Sequence, residues 1–183
     1  MYKEIFKNLI GNELRYMSTG WTRIHPYQNS YESHSINIGK YNCSPADIFL
    51  ELGYHLDKTV RLRCECKNKE GYEIYRLKTN LITTDNNQLK SQISIQVGER
   101  VKVIQVFETY HYENVNIDEL NTNEYFPNGL LMEFESNNYL GIWGQEGDDP
   151  CEPCHYIKFI PSDEIEIYRI EWMKKWKLYE EFK

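Results

Sequence analysis

The sequence predicts one α+β domain over residues 1–183, mainly an antiparallel sheet or incomplete barrel, with an N-terminal helix, a C-terminal helix and one short internal helix. The sheet rests on two pairs of alternating segments joined by turn-length connections. Connections that short cannot make the crossover a parallel pair needs, which argues against a doubly wound fold. The terminal helices rest on amphipathic periodicity near both ends. The single domain rests on a length of 183 residues with no internal repeat and no linker rich in proline, glycine or serine.

Residues 2–17 place Ile5, Phe6, Leu9, Ile10, Leu14 and Met17 close to helical spacing, against Lys3, Glu4, Lys7, Asn8, Asn12 and Glu13, which predicts an opening helix weakened by Gly11. Residues 20–40 scatter Trp21, Ile24, Tyr31, Ile36 and Ile38 among turn formers, as short strands do. At Ser44-Pro45-Ala46-Asp47, a capping serine, a proline suited to the first helical position and a carboxylate placed to return a bond to the cap predict the internal helix, stopped near Gly53.

Residues 59–67 alternate, with Val60, Leu62, Cys64 and Cys66 on one face and Arg61, Arg63 and Glu65 on the other. Residues 68–71 turn the chain into a second strand over 72–78, giving a hairpin. Residues 92–97 and 101–112 read as two strands joined through Gly98-Glu99-Arg100, and the polar stretch 114–128 as a surface loop. A second hairpin follows over 130–135 and 139–143, turned by Ser136-Asn137-Asn138. Residues 156–160 and 165–170 read as strands, though Ser162-Asp163-Glu164 is also a helix-start signal. Residues 172–182 read as the closing helix, with Trp172 and Trp176 on one face and Lys174, Lys175 and Lys177 at the negative end of its dipole.

A formal net charge of −7 favours cationic partners and argues against nucleic acid or an anionic membrane. The basic cluster of Lys174, Lys175 and Lys177 is absorbed by the closing helix. No apolar run is long enough to span a bilayer, and the first residues mix charges where a signal peptide needs an apolar core, so a cytoplasmic location is expected. Five cysteines, an odd number, argue against a secreted disulfide framework.

Two cysteine pairs, Cys64 with Cys66 and Cys151 with Cys154, could supply four thiolates to a structural zinc ion. The competing reading makes Cys64 and Cys66 small core residues, and no cofactor is otherwise expected. Cys151-Glu152-Pro153-Cys154 resembles the redox motif of thioredoxin-like proteins over those four residues. In that family the motif opens a helix that lowers the thiol pKa, whereas here an apparent strand follows, so that activity is not expected. Phosphate-binding, dinucleotide-binding, nucleophile-elbow and zinc-protease motifs are all absent, which weighs against an enzyme with a common cofactor.

Residues 144–152 hold four carboxylates and two glycines directly after Ile142-Trp143. Clustered acids steer a basic protein and a neighbouring tryptophan can anchor it, so Trp143, Glu146, Asp148, Asp149 and Glu152 form the candidate partner-binding set within the loop 145–155. In size, acidity and α+β pattern the chain resembles bacterial immunity proteins, which neutralise partner toxins. The leading expectation is therefore a non-enzymatic binding protein that inhibits a basic protein. A small enzyme or ligand-binding domain with an aromatic-lined pocket and a zinc-stabilised domain stand as the alternatives.

Overall fold

The computed structural model describes residues 2–19, 43–44, 47–53, 58–69, 72–83, 93–109, 128–146, 153–173 and 176–183. They form α1 (Tyr2–Leu9), β1 (Glu13–Thr19), β2 (Cys43–Ser44), β3 (Ile48–Leu52), β4 (Lys58–Lys69), β5 (Tyr72–Thr83) and β6 (Ile93–Thr109). β7 (Gly129–Phe134), β8 (Tyr139–Glu146), β9 (Pro153–Ile160), α2 (Ile165–Met173) and β10 (Trp176–Phe182) complete the order. The strands run β2-β9-β8-β7-β6-β1-β3-β4-β5, and β10 joins the sheet along β6. Every pairing among the described residues is antiparallel, and for β4–β5, β7–β8 and β8–β9 the short connection requires it.

Both hairpins form. β4 and β5 pair along their whole length from Lys58↔Thr83 to Lys69↔Tyr72. β7 and β8 meet through a turn in which Asn137, at φ 64°, takes the left-handed conformation that asparagine tolerates.

Four expectations about the elements are corrected, and bulges account for much of the difference. The opening helix ends at Leu9, because Gly11 adopts φ +74°, and residues 13–17 belong to β1. Leu14 and Met17 imitate helical spacing because a register shift between Leu14 and Tyr16 puts one extra residue, Arg15, opposite β3. Both side chains therefore reach the interior from a strand. In the same way, residues 93–109 are one strand, not two joined by a turn. Gly98, at φ +65°, lies opposite the Leu14/Tyr16 shift and lets β6 continue past it.

The expected internal helix is replaced by β3 (Ile48–Leu52), which is hydrogen-bonded on both sides. Its nearly continuous apolar run is what a strand buried on both faces shows, and periodicity alone does not separate that run from a helix. Instead of returning a bond to a helix cap, the Asp47 carboxylate accepts hydrogen bonds from Arg61 and from Arg63 Nε at 2.9 Å. At the C-terminus the two expected elements exchange types. Residues 165–173 are helical, and Trp176–Phe182 is a strand along β6 rather than the closing helix.

The long strand β6 shares its first half with β1 and its second with β7 and β10. The sheet bends so that β5 lies against β8 and β4 against β9. Between the halves lies the main core, including Leu14, Leu50, Leu62, Ile104, Met132 and Ile142. α1 adds Tyr2, Ile5, Phe6 and Leu9, one helical face at spacings of three and four. It is tied to β10 by an edge-to-face contact of Phe6 with Phe182 at 5.8 Å and by Lys3 Nζ donating to Glu180 at 3.0 Å. A second core lies on the opposite face of β6 to β9, where Phe107, Leu131, Tyr139, Trp143 and Ile160 are covered by Ile165 of α2.

Candidate functional site

The segment singled out by its acids is built on the β8–β9 hairpin. Pairing runs from Tyr139↔Ile160 through Gly144↔His155 and Gln145↔Cys154 to Glu146↔Pro153. The expected loop 145–155 is thus narrower than the sequence suggested, since Gln145, Glu146 and residues 153–155 continue the ladder. Residues 147–152 connect the two strands. Glu146 ends β8, while Asp148, Asp149, Cys151 and Glu152 lie outside the described residues.

Trp143 is not on the surface beside this tip. It is 1 % exposed, and alternation along β8 explains why: Leu140 and Ile142 enter the main core, so Tyr139, Gly141 and Trp143 face the second one. Gly129 is its cross-strand partner and Gly141 its neighbour two residues back on the same face. The indole occupies the space both glycines leave open, since a Cβ at either position would overlap the ring. Trp176 stacks on it at 5.5 Å between centroids. The expected anchor is therefore a structural residue, and any apolar contact made by this hairpin must come from elsewhere.

Among the described residues, no three His, Cys, Asp or Glu side chains are grouped to hold a metal ion. Of the four cysteines considered as zinc ligands, Cys64 is buried on the face of β4 that carries Val60 and Leu62. Cys66 lies opposite Tyr75 in the β4–β5 ladder and Cys154 opposite Gln145 in the β8–β9 ladder.

A group the sequence reading missed sits on the same hairpin. Lys158, between core residues Ile157 and Phe159, must point to the second-core face, where α2 covers it to 6 % exposure. Its Nζ donates to the Tyr168 hydroxyl and lies 3.8 Å from the Tyr168 ring centroid. Burial lowers the Lys158 pKa to about 8 against the opposing pull of Glu164, and burial also raises that of Tyr168. A charged residue flanked by two core residues was the available signal.

α2 presents apolar residues outward as well as inward. Ile165 is buried and Tyr168 half-buried, yet Ile167 and Ile170 are 64 % and 62 % exposed. Arg169 turns back to its own helix and the sheet, with Nη1 at 2.9 Å from Glu166 Oε1 and its guanidinium 5.6 Å from the Tyr139 ring centroid.

No helix among the described residues is long and apolar enough to cross a membrane. No protein-family model matches the chain, and neither does any curated protein or solved structure.

Proposed function

We propose that the chain is a non-enzymatic binding protein, of the inhibitor or immunity type, that offers the acidic tip of the β8–β9 hairpin to a basic protein partner. The observation that supports this reading is the pairing of Glu146 with Pro153, the last pair of the β8–β9 ladder, with Asp148, Asp149 and Glu152 in the sequence between them. Clustered acids raise the association rate of a cationic partner. The overall charge of −7 acts in the same direction. The test is co-purification with the product of the gene encoded beside its own, followed by an inhibition assay. The triple variant Asp148→Asn, Asp149→Asn, Glu152→Gln should associate at least about tenfold more slowly, with a weaker dependence on salt. A neighbouring basic protein that neither binds the chain nor is inhibited removes the proposal.

A second reading, a ligand-binding or catalytic site, draws on Lys158 beside Tyr168, because a buried lysine titrating near neutral pH suits amine chemistry. Its reach is limited by the burial of that lysine under α2. A structural zinc held by Cys64, Cys66, Cys151 and Cys154 is decided by elemental analysis and by the response of the melting temperature to chelators.

A further inference from the structure

We infer that α2 is a lid over the second core, which leaves the sheet as a unit while the strands stay paired and uncovers Lys158 when it does. The inference deepens the second reading above, because a lysine covered by α2 meets a ligand while the helix is open. α2 is weakly anchored. Of residues 165–170, Ile165 alone is buried; Tyr168 and Arg169 are half-buried, and Ile167 and Ile170 are exposed. A helix of nine residues does not persist in water by itself, so its order depends on those contacts. The strands beneath it are held differently. Leu131 of β7, Trp143 of β8 and Ile160 of β9 belong to continuous antiparallel ladders that open only as the sheet is lost. Elements so unequally anchored open at unequal cost.

What α2 covers also favours opening. Lys158, 6 % exposed, meets a neutral partner, the hydroxyl and ring of Tyr168. Glu164 attracts it, but among the described residues no carboxylate forms an ion pair with its ammonium. Closing α2 therefore removes water from a cation and supplies a hydroxyl and a ring face in return. The other described charges on this face are matched: Lys102 with Glu133, Arg169 with Glu166, and Glu181 with Lys183 and Gln105. Those bonds hold Lys102 and Lys183 protonated and Glu181 charged, and burial pushes the Tyr139 and Tyr168 hydroxyls above their ordinary value. Lys158 differs from them, since burial lowers it to about 8 while it is covered. An open helix returns it toward its ordinary 10.5. The closed form thus binds fewer protons than the open one between those values, and closure strengthens as pH rises through 8.

The experiment is pulsed hydrogen exchange of the full chain, read by mass spectrometry at pH 7 and pH 9 on the parent and on Lys158→Met, with each rate divided by the intrinsic rate at that pH. The amides of α2 should exchange at least about tenfold faster than those of β7 and β8. In the parent, α2 protection should rise about tenfold from pH 7 to pH 9, as a group titrating near 8 requires. In Lys158→Met it should already exceed the parent's at pH 7 and stay level. Exchange of α2 in step with β7 and β8 overturns the lid. A rise with pH that is missing from the parent, or that survives in Lys158→Met, shows that opening does not uncover the lysine and overturns the inference as well. The amine reading is read separately, by treating the folded parent with benzaldehyde and cyanoborohydride at pH 8 and mapping the peptides. Modification of Lys158 supports both; an α2 that opens as described over an unmodified Lys158 keeps the lid and removes the amine site.

Discussion

Trp143 and Trp176 stack with their planes 21° apart, and this pair joins the middle of the β8–β9 hairpin to the strand that ends the chain. Trp143 belongs to β8 and Trp176 to β10, yet β7 and β6 lie between those strands in the sheet. Two large rings can meet across that distance because the position opposite Trp143 and the position two before it are both glycine. The second core thus depends on small residues as much as on large ones.

Gly141→Ala should lower stability by about 2–4 kcal/mol, because the new methyl overlaps a ring held in place by Trp176 and the sheet. The strain belongs to the pair and not to the backbone, so adding Trp143→Leu to the glycine variant should cost less than adding it to the parent. Urea unfolding of the four proteins measures this, and additive losses would show that the ring does not rest on Gly141.

Lys158→Met should raise the melting temperature at pH 7. The fold holds the lysine pKa near 8, below its ordinary 10.5, so the unfolded chain binds more protons between those values. Stability then rises with pH across that window, and below about pH 8 the parent carries the full penalty. With solvent screening discounted, the gain from methionine is about 1–2 kcal/mol at neutral pH and shrinks toward pH 10.5. Thermal unfolding at pH 7 and pH 10 separates this from a pH-independent packing gain.

Glu108→Gln should show the opposite slope. Glu108 is buried on β6, its Oε1 accepts no hydrogen bond from a described residue, and burial raises its pKa against the pull of Arg76 and Lys177. The folded state therefore holds this proton more tightly than the unfolded chain. Stability falls as pH rises from the ordinary carboxyl value of 4.5 through the raised one. The glutamine variant should be more stable than the parent at pH 7, with the difference vanishing toward pH 4. A variant less stable than the parent at pH 7, with the gap narrowing toward pH 4, would assign Glu108 a net favourable ion pair.

The alternating segments were legible because each strand of both hairpins keeps period two and each turn carries its own residues, as Asn137 does at φ 64°. What misled was local irregularity. The extra residue at Arg15 gave Leu14 and Met17 a helical spacing, and the shift between Leu178 and Glu180 passes the inward positions of β10 from the face of Trp176 to that of Phe182. A bulge is fixed by the partner strand, which a single sequence does not display. Trp143 failed as a surface anchor for a related reason. Its burial depends on Gly129, fourteen residues earlier, and on Trp176 in an element whose type was itself misread.

Gly98 offers the most direct test of this account of the bulges. Its φ of +65° costs an L side chain about 1 kcal/mol, and among the described residues a Cβ would meet only the Gln96 side chain at 4.0 Å, so the penalty comes from the backbone. Gly98→Ala should therefore lose about 1 kcal/mol. Gly98→Asn, bulkier but more tolerant of the left-handed region, should lose less. If steric crowding governed the site instead, asparagine would be the worse of the two. Denaturation midpoints of the two variants, at unchanged slope, decide between backbone strain and crowding at the irregularity in the β1–β6 ladder, just before β6 passes on to β7.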